Sequence, residues 1–377
     1  MELPLHGGKV PRWMLKYMRN MAEKIVEIIV YEYGPEKLLE GLSDPLWFQA
    51  FNNVIGMDWD SSGSTTVLTG ILKDISWKHP ELGFLVLGGK GMNALRVPEE
   101  AIALEHALGI SSTKVDEIIN SSRLAAKTDT AFLQDGYQLY HHTVIAVETG
   151  KWIIVQQGLN PETRMARRYH VNKKQLLEPH TGIAGFNHGT INLNLTLREA
   201  EDTLNTITDI SQEPINRLAR LIQEANSQLK PNILTYLSSS RPQIPLRGYH
   251  KPVKVSKHLI RALQKLGEYK PSSPEELALV KGAGPAVIRA LALVADLIYG
   301  IPSPDKDKVS HPIQPYAYAY AVGGKDGMPY PFNPRTAQKT VEVLEYALEN
   351  AKIGDHHKLR ALKRLRKTLP WWRKHGI

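Results

Sequence analysis

The side chains with chemical capacity fall into three groups. In the first, Asp58-Trp59-Asp60-Ser61-Ser62-Gly63 follows apolar Val54-Ile55 and precedes Ser64-Thr65-Thr66, so two carboxylates and several hydroxyls project from a loop that leads into a helix. Such a loop can hold a cation or a phosphate, or simply cap the helix through Asp60 or Ser62. Thr69 stands where a calcium loop needs a bidentate Glu, which rules out an EF-hand. The second group is Lys127-Thr128-Asp129, Gln134-Asp135-Gly136-Tyr137 and Tyr140-His141-His142, followed by Gln156-Gln157, Arg164, Arg167, Arg168, Tyr169, His170 and Glu178-Pro179-His180. This set has the parts of divalent-metal phosphodiester hydrolysis. Asp58, Asp129, Asp135 and His141 would hold Mg2+ or Mn2+, Glu178 would join the catalytic set, and Lys127 would offset developing charge. Lys9, Arg12, Arg167, Arg168 and His170 would meet phosphates. His141 and His142 point to opposite faces of a strand, so at most one of them serves as a ligand. Asp135 with Glu148-Thr149-Gly150-Lys151 only mimics the acidic, Glu-x-Lys pattern of nucleases, because the spacing differs and the Lys falls in a turn.

The third group lies near the C-terminal third. Ser273-Pro274-Glu275-Glu276 combines a Ser cap, Pro at the first helical position and Glu three residues after the cap, and predicts a short helix to Val280. Lys281-Gly282-Ala283-Gly284 then forms a tight turn, and Pro285 opens a second helix that ends at Tyr299-Gly300. The pattern resembles the helix-hairpin-helix of DNA repair and recombination proteins. That resemblance implies backbone amides of Gly282, Ala283 and Gly284 on a DNA phosphate, with Lys281 and Arg289 supplying charge nearby. A purely structural pair of helices is the alternative.

The elements that must position these groups follow from periodicity. Apolar residues on one face predict a helix from Trp13 to Tyr33, stopped by Gly34-Pro35. Thr65 to Ile75 predicts a second helix, and Leu82 to Leu87 a short buried strand before Gly88-Gly89. A hairpin follows, Thr143–Glu148 and Trp152–Gln156 around Thr149-Gly150-Lys151. Ile191 to Leu197 alternates as a half-buried strand, and the chain after Ser211 reads as helical to Leu229. Strands then vanish, which gives a mixed α/β (α+β) N-terminal domain over 1–240, a helical hairpin module over 241–300, and a Pro/Tyr-rich segment with a basic C-terminal helix over 301–377. A Pro-rich linker lies at 238–255. Gly-Gly-Lys occurs at Gly7, Gly88 and Gly323, as turns or anion nests, and none fits a phosphate loop for ATP.

Composition narrows the class. The chain has 377 residues, 42% hydrophobic and 23% charged, enough to build packed cores. Without cysteine it has no disulfide, thiolate nucleophile or Cys-ligated metal. No apolar run reaches the ~18 residues of a membrane span, and Lys9, Arg12, Lys16 and Arg19 argue against a secretory signal, so a soluble cytoplasmic protein is expected. Net charge is +9, from 47 basic and 38 acidic residues. The excess is concentrated in 351–377, where nine Lys and Arg, Lys363, Arg364, Arg366 and Lys367 among them, face Asp355 alone. A localised cationic segment gathers polyanions by counterion release, and nucleic acid is the expected partner, DNA before RNA. A charged solubilising helix is the alternative.

Segments along nearly the whole chain, including Leu3-Pro-Leu-His-Gly-Gly-Lys9, Leu42-Ser-Asp-Pro-Leu-Trp-Phe-Gln-Ala-Phe51, Gln134-Asp-Gly-Tyr-Gln-Leu-Tyr-His-His142, Ala166-Arg-Arg-Tyr-His170, Arg289-Ala-Leu-Ala-Leu-Val-Ala295 and Gly323-Gly-Lys-Asp-Gly327, resemble the archaeal and bacterial family called domain of unknown function seven-six-three. The resemblance implies a thermophilic prokaryotic setting and a helix-hairpin-helix. Three readings stand. A metal-dependent DNA nuclease of repair or recombination comes first, and a non-catalytic DNA-binding accessory protein second. A phosphatase or nucleotide-handling enzyme is third, using the Asp58 loop, which is similar to the Asp-x-Asp loop of haloacid-dehalogenase-like phosphatases. A homo-oligomer is compatible with each.

Overall fold

The computed structural model describes residues 3–5, 9–57, 61–229, 247–310, 324 and 331–350. Its centre is a six-stranded antiparallel sheet in the order β1-β6-β5-β4-β2, with β7 added beside β6. The strands are β1 (Leu3–Pro4), β2 (Phe84–Lys90), β4 (Gln138–Val147), β5 (Trp152–Asn160), β6 (Met165–Val171) and β7 (His180–Ala184). A separate two-stranded pair joins β3 (Leu133–Gln134) to β8 (Leu193–Asn194).

Alternation assigns the two faces of the large sheet. Phe84, Val86, Ile145, Val147, Ile153 and Val155 pack under α1 (Arg12–Tyr33), α2 (Pro35–Ser43), α3 (Pro45–Val54) and α4 (Ser62–Lys78). Leu85, Leu87, Val144, Ala146, Ile154 and Val171 pack under α5 (Val97–Glu100), α6 (Ile102–Leu108) and α7 (Ser112–Lys127). The sheet is therefore covered on both faces, which is why the hairpin strands read as continuous apolar runs. Local chemistry sets the helix ends. Asp44 Oδ1 accepts from the amides of Leu46 and Trp47 ahead of Pro45, fixing the start of α3, while Gly34, at φ 85°, separates α1 from α2.

Beyond α7 the chain makes a π-helical turn, Thr128–Phe132, then continues through the sheet to an all-helical unit. That unit holds α8 (Glu201–Ser211), α9 (Ile215–Gln228), α10 (Lys257–Tyr269), α11 (Pro274–Leu279) and α12 (Pro285–Tyr299). Leu204, Ile207, Leu218 and Ile222 share one core with Leu263, Leu277, Ile288 and Leu291, so helices on both sides of the proline-rich linker pack together. Leu124 and Phe132 extend the same core back to α7. Finally α13 (Pro334–Asn350) places Ala337 and Val341 in the core around α1, where Phe332 meets Trp13 and Tyr17 edge-on.

Several boundaries differ from the sequence expectation for identifiable reasons. The hairpin strands run past the apolar stretch, because His141 to Thr143 remain paired with Val155 to Gln157, and beyond a bulge at Tyr140 the pairing continues at Leu139 and Gln138. The expected strand Ile191–Leu197 pairs only at Leu193–Asn194, while Ile191 and Asn194 donate to carbonyls of Asp305 and Pro304. The helix expected after Ser211 begins only at Ile215, behind Pro214, and α8 ends at Ser211 before it. The largest correction is β6. Its Met-Ala-Arg-Arg-Tyr-His-Val run carries two adjacent arginines and was expected to be a phosphate-contacting surface, yet Arg167, Arg168 and His170 are all fully buried in the sheet. Asp58, Asp60, the first half of the linker and the basic segment 351–377 with Lys363, Arg364, Arg366 and Lys367 lie outside the described residues.

Candidate functional site

One end of the large sheet is polar on both faces. Strand register brings Lys90, His141, Gln157 and Arg168 into one row across β2, β4, β5 and β6, and Gly89, His142, Gln156 and Tyr169 into the next. Adjacent rows point to opposite faces, so each face receives its own buried polar cluster.

On the α7 face the cluster is a chain of hydrogen bonds. Gln156 Nε2 donates to Asp129 Oδ2 at 2.6 Å and to the Ala125 carbonyl at 3.1 Å. Both are pure acceptors, which fixes the amide orientation and leaves Gln156 Oε1 to accept from His142 Nδ1 at 2.7 Å. His142 Nε2 is then unprotonated and accepts from the Ser122 hydroxyl at 2.7 Å. At the far end His180 Nε2 lies 2.7 Å from Asp129 Oδ1. The π-helical turn after α7 carries Asp129, which is fully buried at this position. Burial lowers the His142 pKa, so the imidazole is neutral.

Beside this chain, Asp135 accepts from Arg167 Nη1 at 2.8 Å, the Tyr169 hydroxyl at 2.7 Å and the Tyr137 amide at 3.1 Å. Asp307 takes the other side of Arg167 through two bonds of 3.0 and 2.8 Å, and the guanidinium lies over the Tyr137 ring. Burial opposes the charge on Arg167, but Asp135, Tyr169 and Asp307 outweigh it and hold the guanidinium pKa above its ordinary value.

The opposite face holds Lys90 and Arg168 with His141 and Gln157. His141 Nε2 lies 3.0 Å from Thr69 Oγ1 and 2.6 Å from Thr143 Oγ1, its Nδ1 has no partner, and burial pushes its pKa down to about 3. Gln157 bonds Thr65, Tyr140 and the Ser62 carbonyl. Arg168 reaches Gln49 Oε1, the Pro45 carbonyl and His170, and stacks 4.4 Å from the Phe48 ring centroid. Among the described residues the partners of Arg168 are neutral, and burial lowers its pKa to about 9.

Two clefts open at this polar end, and Tyr140 lines both. The first, about 730 Å³, is lined by the N-terminal turn of α4 (Ser61, Ser62, Gly63) with Lys9, Arg12 and Lys90. Among the described residues no side chain caps this 17-residue helix, and none bonds buried Ser61 Oγ. The second, about 810 Å³, has apolar walls from Leu95, Val97, Leu139 and Leu279, with Ser122 and His142 on α7 and β4, and Gly284-Pro285 at the start of α12. Arg123 and Lys127, four residues apart on one face of α7, also line it.

The structure separates the residues expected to hold a metal. Asp129 bonds Gln156 and His180, Asp135 bonds Arg167 and Tyr169, and His141 sits between two threonines on the other face of the sheet. Glu178 is at the surface with Lys308 and Arg198. Among the described residues no three His, Asp or Glu side chains gather. Lys127 Nζ donates to the Ala283 carbonyl at 3.1 Å, and burial lowers its pKa. In the turn, Lys281 and Gly282 are exposed and Gly282 adopts φ 115°, as expected of a glycine hairpin. Ala283 is buried, and the amides of Ala283 and Gly284 already donate to Val280 and Gly282 carbonyls, so two of the three amides expected at a phosphate are used within the turn. Arg289 is half-buried with its Nε unpartnered. Ser122 and Gln156 were not assigned roles from sequence. A serine inside a helix and a glutamine inside a strand carry no signal until the register is known.

Residues 1–332 match the family described as "Protein of unknown function (DUF763)", and the chain belongs to it. Searches of curated proteins and of solved structures found no match.

Proposed function

We propose that this chain, a member of that family, binds nucleic-acid strands through their phosphates, DNA in preference to RNA. The observation that carries the reading is the meeting of the two clefts at Tyr140. Lys9, Arg12, Lys90 and the start of α4 lie on one side, and Arg123, Lys127 and the start of α12 on the other. A strand laid across Tyr140 would meet cations and a helix N-terminus in each cleft, with an aromatic ring between for a base to stack on. Lys281 at the exposed turn and the nine basic residues of 351–377 would extend the contact electrostatically. Helix-hairpin-helix binding of the Lys281–Gly284 turn to duplex phosphate belongs to the same reading, with the Gly282 amide and Lys281 as its contacts.

Cleavage with Mg2+ or Mn2+ is the stronger form of this reading. Binding without metal-dependent cleavage is the form the geometry supports best, because Asp129 and Asp135 are already bonded to protein partners. The test is retardation of end-labelled single-stranded, duplex and branched DNA and of RNA, with Mg2+, Mn2+ or chelator. Retarded DNA, with no fragments that require Mg2+ or Mn2+, is expected. Metal-dependent fragments would establish the nuclease, and absence of retardation with every substrate would end the reading.

A further inference from the structure

The apolar cleft holds a pair of side chains whose proton arrangement is already that of a nucleophile and its base. We propose that Ser122 is the nucleophile, and His142 its general base, for phosphoryl transfer at a phosphodiester of a bound nucleic-acid strand. The choice of strand as substrate rests on the proposed function above; the reactivity of Ser122 does not.

Three independent observations support it. First, the direction of the hydrogen bonds is forced. Because Gln156 spends its amide hydrogens on Asp129 and Ala125, its oxygen must accept from His142 Nδ1, and the bare Nε2 must accept from Ser122. A neutral imidazole held in this tautomer, 2.7 Å from a serine oxygen, is oriented to take the hydroxyl proton. Gln156 and, behind it, Asp129 are positioning residues that hold the ring. Second, both groups line an open cleft of about 810 Å³ instead of being sealed in a core, although each is largely covered. Third, the same cleft is lined by Arg123 and Lys127 from α7 and by Pro285 at the first turn of the 15-residue α12. These are cations and a helix start, the features that stabilise the negative oxygens of a transferring phosphoryl group. Leu95, Leu139 and Leu279 offer an apolar wall for the flat base attached to it.

The chemistry balances without a further reagent except water. Ser122 Oγ forms a bond to phosphorus as the bond from phosphorus to the leaving strand oxygen breaks. The serine proton passes to His142 Nε2 and from there to the leaving oxygen, releasing one strand end as an alcohol. Water, deprotonated by His142, then attacks the phosphoserine diester, returning Ser122 and releasing the other end as a phosphate monoester.

The experiment uses the full chain and two probes. Diisopropyl fluorophosphate, which needs no nucleic-acid binding, is expected to add one diisopropylphosphoryl group at Ser122, mapped by peptide mass spectrometry, with the chain's other serines as internal controls. Ser122→Ala should abolish the adduct, and Gln156→Leu, which removes the acceptor for His142 Nδ1, should slow its formation and shift its pH profile. No adduct on the wild-type chain, or adducts spread equally over exposed serines, would overturn the nucleophile. In the second arm, labelled single-stranded DNA is incubated in chelator and quenched in denaturant. A covalent protein–strand species lost in Ser122→Ala supports the full proposal. Labelled Ser122 with retarded DNA that is neither covalently attached nor cut overturns the strand as substrate, and labelled Ser122 with no retardation overturns the proposed function instead.

Discussion

Replacing Asp135 by Ala separates a structural carboxylate from a metal ligand. Its side chain is 1% exposed and accepts three hydrogen bonds, the strongest from a guanidinium that is itself fully buried. Removing one partner of a buried ion pair typically costs about 3–5 kcal/mol, because the remaining charge is left without compensation. Arg167 retains Asp307, which moves the expectation to the lower end, while the stranded Tyr169 hydroxyl adds to it. A loss of about 3–4 kcal/mol is therefore expected, read as a lower urea midpoint at unchanged slope. Arg167→Met alone should cost a similar amount, and the double variant should fall short of the sum by about 1–3 kcal/mol, since both changes break one network. Added Mg2+ should leave the wild-type midpoint unmoved. A loss below about 1 kcal/mol, strict additivity, or stabilisation by Mg2+ that disappears in Asp135→Ala would refute the reasoning and return Asp135 to a metal site.

Acid titration probes the other face of the sheet. Burial holds His141 near a pKa of about 3 against an ordinary 6.5, so between these values the unfolded chain binds a proton that the folded chain excludes. Stability should fall as pH drops through that window, by up to about 1.4 kcal/mol per pH unit, and His141→Gln should flatten the curve; an unchanged slope would show that His141 does not carry the effect. Gly88→Ala should cost on the order of 3 kcal/mol, since a Cβ would stand 2.4 Å from the His142 carbonyl at φ 82°, whereas Gly91→Ala, with open space, should cost about 1 kcal/mol. Equal costs in thermal unfolding would contradict that contrast. Replacing both Lys9 and Arg12 by Gln should weaken DNA binding uniformly across sequences and reduce the salt slope by about 2. Sequence-selective weakening would place them at bases instead.

The helices and the hairpin were legible because their information is local. Pro274 and Pro285 open helices where expected, Gly300 closes one in the left-handed conformation, and β4 and β5 read as apolar runs. β6 was not legible, because its arginines look like surface until Asp135, Asp307 and Phe48, distant in sequence, are folded around them. The same limit applies to the site. Asp129, Asp135 and His141 read from sequence as metal ligands, but whether they converge depends on a π-helical turn and a strand register that single residues do not announce. Ser122 became visible only through His142, and His142 only through the orientation of Gln156.

The most direct test of the central claim is the affinity of the full chain for a fluorescent single-stranded oligonucleotide, measured by anisotropy as salt is raised. Binding through phosphates in both clefts predicts a log–log slope of several units with little dependence on sequence. Failure to bind at low salt, or binding indifferent to salt, would contradict it.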